Sequence, residues 1–140
     1  MSAFYGAKLA ILTGDRIVTI LRDDVPHIPW PGHWDLPGGG REGSETPEDC
    51  VLREVYEELG LSLSASDLHW RLEAFTPSAE RVWFFVSEQP DFDPEMVRFG
   101  NEGQEWRMVS LAWFLKEPSV IPRHQERLSI YLENIRNFRA

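Results

Sequence analysis

The chain has 140 residues, near the commonest size of one domain and too short for two ordinary hydrophobic cores, so one domain over residues 1–140 is expected. Its composition is 42% hydrophobic and 12% aromatic, with six tryptophans, which excludes a disordered chain. Fourteen basic against 23 acidic residues give a formal charge of −9, which argues against docking on a nucleic-acid backbone or an anionic membrane.

A polyanionic substrate would therefore need a metal ion or local arginines. The single cysteine, Cys50, excludes an intrachain disulfide, and no Cys/His group has zinc spacing. No apolar run reaches the roughly eighteen residues that a membrane span needs, and the N-terminus lacks a basic start followed by a long apolar stretch. A soluble, cytoplasmic protein is the expectation, and a homodimer is compatible with it.

In chain order, residues 4–12 and 16–21 favour β-structure and are joined by Thr13-Gly14-Asp15, which reads as a hairpin. Residues 23–33 hold Pro26, Pro29 and Pro31, too many for a helix or an inner strand, and read as a loop. Trp34-Asp35-Leu36 reads as a short strand entering Pro37-Gly38-Gly39-Gly40, where a turn with unusual backbone freedom is expected. A helix follows: Thr46 is its N-cap, Pro47 its first residue, Glu48 and Asp49 suit its positive end, and Gly60 stops it.

Residues 68–75 and 81–87 read as strands around a turn at 76–80, and 89–94 as a loop. A last strand is expected at 106–109, a short helix at 110–116, and a terminal helix at 122–138 with Leu128, Leu132, Ile135 and Phe138 on one stripe. Strands mixed with helices, and a hairpin among them, predict an α/β fold with a mixed sheet.

The stretch Arg53 to Leu61, REVYEELGL, crowds Glu54, Glu57 and Glu58 although like charges three and four residues apart on a helix repel. At about 100° per residue the three glutamates share one sector, and Val51, Leu52, Val55 and Leu59 fill another that faces the core. Arg53 lies beside the acidic sector, near enough to fix a carboxylate, a role Glu45 can share. Read by itself, the acidic sector is either a solvated face or a group gathered around a cation.

The full spacing favours the cation. Gly39, five residues, Glu45, seven residues and then Arg53-Glu54-Val55-Tyr56-Glu57-Glu58-Leu59-Gly60-Leu61 resembles the Nudix box at every defined position, with Leu36-Pro37-Gly38-Gly39 in front. The resemblance to Nudix hydrolases of the MutT-like kind implies an α/β/α sandwich with a mixed sheet between helices. It implies a Mg²⁺- or Mn²⁺-dependent pyrophosphohydrolase that cleaves a nucleoside diphosphate linked to another group, above all a nucleoside triphosphate to nucleoside monophosphate and pyrophosphate. Carried over by position, Glu54, Glu57, Glu58 and the carbonyl of Gly38 would be metal ligands. Gly39, Glu45 and Arg53 would hold them in place, and Arg53 would count with the glutamates among the catalytic groups.

A further carboxylate is expected from Phe99 to Trp106, FGNEGQEW, whose Gly-X-Glu-Gly-Gln pattern resembles the matching loop of enzymes that cleave 8-oxo-dGTP; Glu102 is the candidate. Glu54 and Glu102 are both candidates for the general base. Trp30, Trp34, Trp83 and Trp106 are aromatic candidates for base stacking, and Arg22 and Arg81 for phosphate or sugar. His124 and Cys50 read as ordinary helix residues. The segment 118–125 has Arg123-His124 where oxidised-guanine enzymes place an asparagine, and Pro77 resembles a feature of ADP-ribose-cleaving relatives. An ADP-ribose or nucleotide-sugar pyrophosphatase, or a nucleotide-sensing module without catalysis, are the alternatives.

Overall fold

Period-two alternation along the first strands sorts the apolar side chains onto two faces of one sheet. The computed structural model describes residues 3–136. Strand β1 (Gly6–Thr13) sends Ala7, Leu9 and Ile11 to one face and Ala10 and Leu12 to the other. Strand β2 (Arg16–Leu21) sends Val18 and Ile20 to the first face and Ile17 to the second.

The remaining strands are β3 (Trp34–Asp35), β4 (Gly38–Gly40), β5 (Trp70–Phe75), β6 (Arg81–Glu88) and β7 (Glu105–Ser110). β1 runs parallel to β6 from Gly6 opposite Val82 to Leu12 opposite Glu88, and the other pairings are antiparallel. Helix α1 (Pro47–Leu59) covers the first face with Cys50, Val51, Val55 and Leu59. Helices α2 (Leu111–Lys116) and α3 (Pro122–Tyr131) cover the second through Leu111, Phe114, Leu128 and Tyr131. This is the expected α/β/α sandwich around a mixed sheet. No helix among the described residues is long and apolar enough to cross a membrane.

The expected hairpin at Gly14 forms, with β1 and β2 paired at Leu12–Ile17 and Thr13–Arg16 while the start of β1 pairs with β4. Two expectations are corrected. Gly38–Gly40 is therefore a strand where a turn was expected; only Gly38 uses the glycine-favouring region, at φ +136°. The last helix turns from α to π geometry over Leu132–Arg136, which shifts the phase of its stripe: Leu128 and Leu132 are buried while Ile135 is 55% exposed. Phe138 lies outside the described residues.

Candidate active site

Helix α1 is set locally. The Thr46 hydroxyl accepts from the Asp49 N–H at 3.1 Å, Pro47 begins the helix, and Gly60 ends it at φ +68° with its N–H on the Tyr56 carbonyl at 2.9 Å. Burial of the Val51/Val55/Leu59 stripe then turns the acidic sector toward β4 and the loop after it.

Arg53 organises that sector. Its guanidinium grips Glu45 at two points, Nε to Oε2 at 2.6 Å and a terminal nitrogen to Oε1 at 3.0 Å. The other terminal nitrogen reaches Glu54 at 2.8 Å and Glu57 at 3.0 Å, and Arg53 also donates to the Gly40 carbonyl at 2.9 Å. One planar fork thus ties α1 to β4 and to the connecting loop, which a lysine could not do.

Glu58 makes no bond to Arg53 and accepts from the Gly38 N–H at 2.7 Å. Burial pushes its carboxyl up to about 7, with Glu54 and Asp35 adding to the rise and Lys8 and the Gly38 N–H opposing it. The backbone fits closely here. A Cβ on Gly38 would stand 2.2 Å from the Ala7 carbonyl oxygen, and one on Gly39 would stand 2.6 Å from Oε2 of Glu54. Glu58 and Glu102 line one cleft of about 130 Å³ together with Arg22, Asp23 and Asp35.

A second, larger cleft of about 420 Å³ shares Arg22 and Asp35 with the first and extends over Trp30, Trp83 and the start of α3. Asp35 stands at their junction and is buried, with Lys8 and Arg22 each at 3.0 Å from Oδ2 and Nε2 of His124 at 2.7 Å from Oδ1. Burial alone would raise the Asp35 carboxyl, but Lys8 and His124 hold it well below the usual carboxylate range. Burial lowers the His124 pKa despite Asp35, so the ring is neutral near pH 7. An ionised Asp35 accepts only, which puts the imidazole proton on Nε2. Lys8 also donates to the carbonyls of Leu36 at 3.2 Å and Gly38 at 3.1 Å.

A family model for the NUDIX domain matches residues 6–129. The chain belongs to the NUDIX family. The 8-oxo-dGTP diphosphatase of Escherichia coli (strain K12) is 36% identical over an alignment covering 55% of this chain and 57% of that protein. The RNA pyrophosphohydrolase of Vibrio vulnificus (strain YJ016) is 45% identical, covering 58% of each. The chain thus spans a little over half the length of these curated relatives. Among solved structures, the MutT protein from Methanosarcina mazei Go1 superposes with a TM-score of 0.70 at 22% identity, covering 93% of this chain and 94% of that one, which is a likeness of fold.

The structure brings the expected NUDIX-box residues Glu45, Arg53, Glu54 and Glu57 into one network, and Glu58 onto Gly38. Among the described residues no three acidic, histidine or cysteine side chains converge closely enough to enclose an ion. Glu54 and Glu57 are drawn to Arg53, and Lys8 sits on the Gly38 carbonyl. The donor set is nonetheless all oxygen, which suits a hard divalent ion. Gly39 leaves the space beside Glu54 that any side chain would fill.

Of the aromatic candidates, Trp30 and Trp83 line the larger cleft, whereas Trp34 and Trp106 pack in the two cores. Arg22 borders both clefts, while Arg81 pairs with Glu73 at 2.8 Å away from them. Cys50 is buried, its thiol 3.5 Å from the Gly39 carbonyl and pushed up to about 11 mainly by burial. The sequence reading missed Lys8, Asp35 and the site role of His124. A lysine inside an otherwise apolar β1 and an aspartate inside a two-residue strand were the available signals.

Proposed function

We propose that this chain is a Mg²⁺- or Mn²⁺-dependent pyrophosphohydrolase that acts on a nucleoside diphosphate linked to another group, above all a nucleoside triphosphate, which it cuts to nucleoside monophosphate and pyrophosphate. The observation that carries the reading is the union of the intact Glu54/Glu57/Glu58 sector with β4 through Arg53 and Gly38, beside a cleft of about 420 Å³. Glu54, Glu57, Glu58, Glu102 and the Gly38 carbonyl would hold the metal. When bound, such an ion neutralises phosphate charge and makes water more acidic.

The chain's own groups do the rest. Arg53, gripped by Glu45, holds Glu54 and Glu57 beside β4, which limits how far they must turn to meet an ion. Glu102 makes no hydrogen bond among the described residues and, with Glu54, is available to take the proton of an attacking water. Trp30 and Trp83 offer apolar ring surface for a base, and Arg22 borders both clefts, where it can meet phosphate. Relatives named 8-oxo-dGTP diphosphatase and RNA pyrophosphohydrolase support a nucleoside triphosphate as substrate. Arg123-His124 in place of an asparagine on the cleft wall speaks for a base other than oxidised guanine. A cytoplasmic enzyme, monomeric or dimeric, is the setting that best fits one buried thiol and an acidic surface.

Release of phosphate and pyrophosphate from nucleoside triphosphates, ADP-ribose and nucleotide sugars, with Mg²⁺, Mn²⁺ or excess chelator, tests the reading. Chelator-sensitive turnover of a triphosphate is expected. Turnover confined to ADP-ribose or nucleotide sugars would shift the substrate, and binding without turnover would make the chain a sensor.

A further inference from the structure

Arginines in this acidic chain are mostly paired: Arg22 with Asp35, Arg53 with Glu45, Arg71 with Glu48, Arg81 with Glu73, Arg107 with Glu105 and Arg136 with Glu88. Arg123 and Arg127 are different. Both are half-buried, both line the cleft of about 420 Å³, and neither guanidinium makes a hydrogen bond or ion pair among the described residues. They stand four residues apart on α3, so their like charges share one face and repel.

We propose that Arg123 and Arg127 form an anion subsite on the α3 wall of the larger cleft, and that it takes a phosphate of the bound nucleotide other than the diphosphate that is cut. The inference rests on the proposed function only for the nucleotide nature of the ligand. Two half-buried guanidiniums that no carboxylate hydrogen-bonds are a cost that a bound phosphate relieves with bidentate, charge-assisted hydrogen bonds. The environment agrees: burial first, and then Arg123, lowers the Arg127 pKa, with Glu126 only partly offsetting them.

Position separates this subsite from the chemistry. Glu58 and Glu102 border the smaller cleft, Arg123 and Arg127 only the larger, and the Asp35–Arg22 pair stands where the two clefts meet. A nucleotide with its diphosphate near α1 and its base or sugar over the larger cleft would bring a second phosphate to α3. His124, between them in sequence, lines the same cleft and is 97% buried against Asp35, which fixes the first turn of α3 in the cleft wall.

The test measures binding of adenosine 3′,5′-bisphosphate, adenosine 5′-monophosphate and the 5′-phosphorylated dinucleotide pApA by calorimetry in excess chelator, so that a failure of hydrolysis leaves it intact. The wild-type chain should bind a ligand with the extra phosphate about tenfold or more tightly than the monophosphate, the scale of one charge-assisted contact. A gain for the bisphosphate alone makes the extra group a phosphomonoester; an equal gain for pApA makes it a phosphodiester. In the double variant R123Q/R127Q the preference should vanish, while R127K should keep part of it. Equal affinities, or no binding of any of the three, in the wild-type chain would overturn the proposal, and so would a preference that survives in the folded double variant.

Discussion

Oδ1 of Asp35 and Nε2 of His124 lie 2.7 Å apart although 89 residues separate them, so a single hydrogen bond ties the short strand β3 to the first turn of α3. The same carboxylate holds Lys8 and Arg22 on its other oxygen, each at 3.0 Å. One buried charge thus supports the junction of the two clefts.

Replacing it should be costly. Asp35→Asn leaves Lys8 and Arg22 without their counter-charge, and because both retain some contact with water the expected loss is about 3 kcal/mol, the low end for breaking a buried pair. Denaturant unfolding checks this, and a loss under about 1 kcal/mol would mean that the cluster contributes little.

Adjacent glycines of β4 should respond in opposite ways. Gly38→Ala forces a side chain into φ +136° and against the Ala7 carbonyl, and should cost at least about 3 kcal/mol. Gly39→Ala meets only the flexible end of Glu54, so the melting temperature should stay near that of the parent while turnover falls. Parallel thermal unfolding and rate measurements on the two proteins separate the effects.

Arg53→Lys keeps the charge and removes the fork. Glu45, Glu54 and Glu57 would share one ammonium in place of a guanidinium that binds all three and the Gly40 carbonyl. Turnover should fall by more than about tenfold, with a stability loss of about 1–2 kcal/mol. Unchanged turnover in steady-state assays would show that the network does not position the glutamates.

Acid stability should depend on Glu88. Although burial opposes it, bonds from Arg136 and Tyr131 hold the Glu88 carboxyl below its ordinary value, with His69 adding to the effect. A lowered native pKa means that the stabilisation is complete above the unfolded carboxyl's pKa and is lost as pH falls below it toward the native value. Melting temperatures from pH 7 down to pH 3 should drop less steeply for Glu88→Gln than for the parent chain.

How much of this was legible in the sequence follows from distance along the chain. The cap at Thr46, the stop at Gly60 and the shared sector of Glu54, Glu57 and Glu58 are local, and α1 forms as read. The Nudix spacing added Glu45 and Arg53, which the structure joins directly. Gly38–Gly40 looked like a turn because its partner, the start of β1, is about thirty residues away and pairs only in the folded sheet. The Asp35–His124 bond is longer-range still, and a histidine near a helix start carries no local sign that its ring is buried against a carboxylate. The break in the last stripe at Ile135 needed the π turn, which periodicity at 3.6 residues does not anticipate.

The most direct test of the account is the turnover of nucleoside triphosphate by Glu58→Gln in saturating Mg²⁺, compared with the parent chain at the same pH. Glu58 sits on the Gly38 N–H beside Glu102, and its amide isostere keeps the size and that hydrogen bond but loses the charge. If the acidic sector of α1 carries the hydrolysis, the variant should be slower by at least about a hundredfold, the scale of losing one transition-state charge partner, and Mg²⁺ should raise its melting temperature less than it raises that of the parent. Parent-level turnover by a folded Glu58→Gln protein would contradict the account.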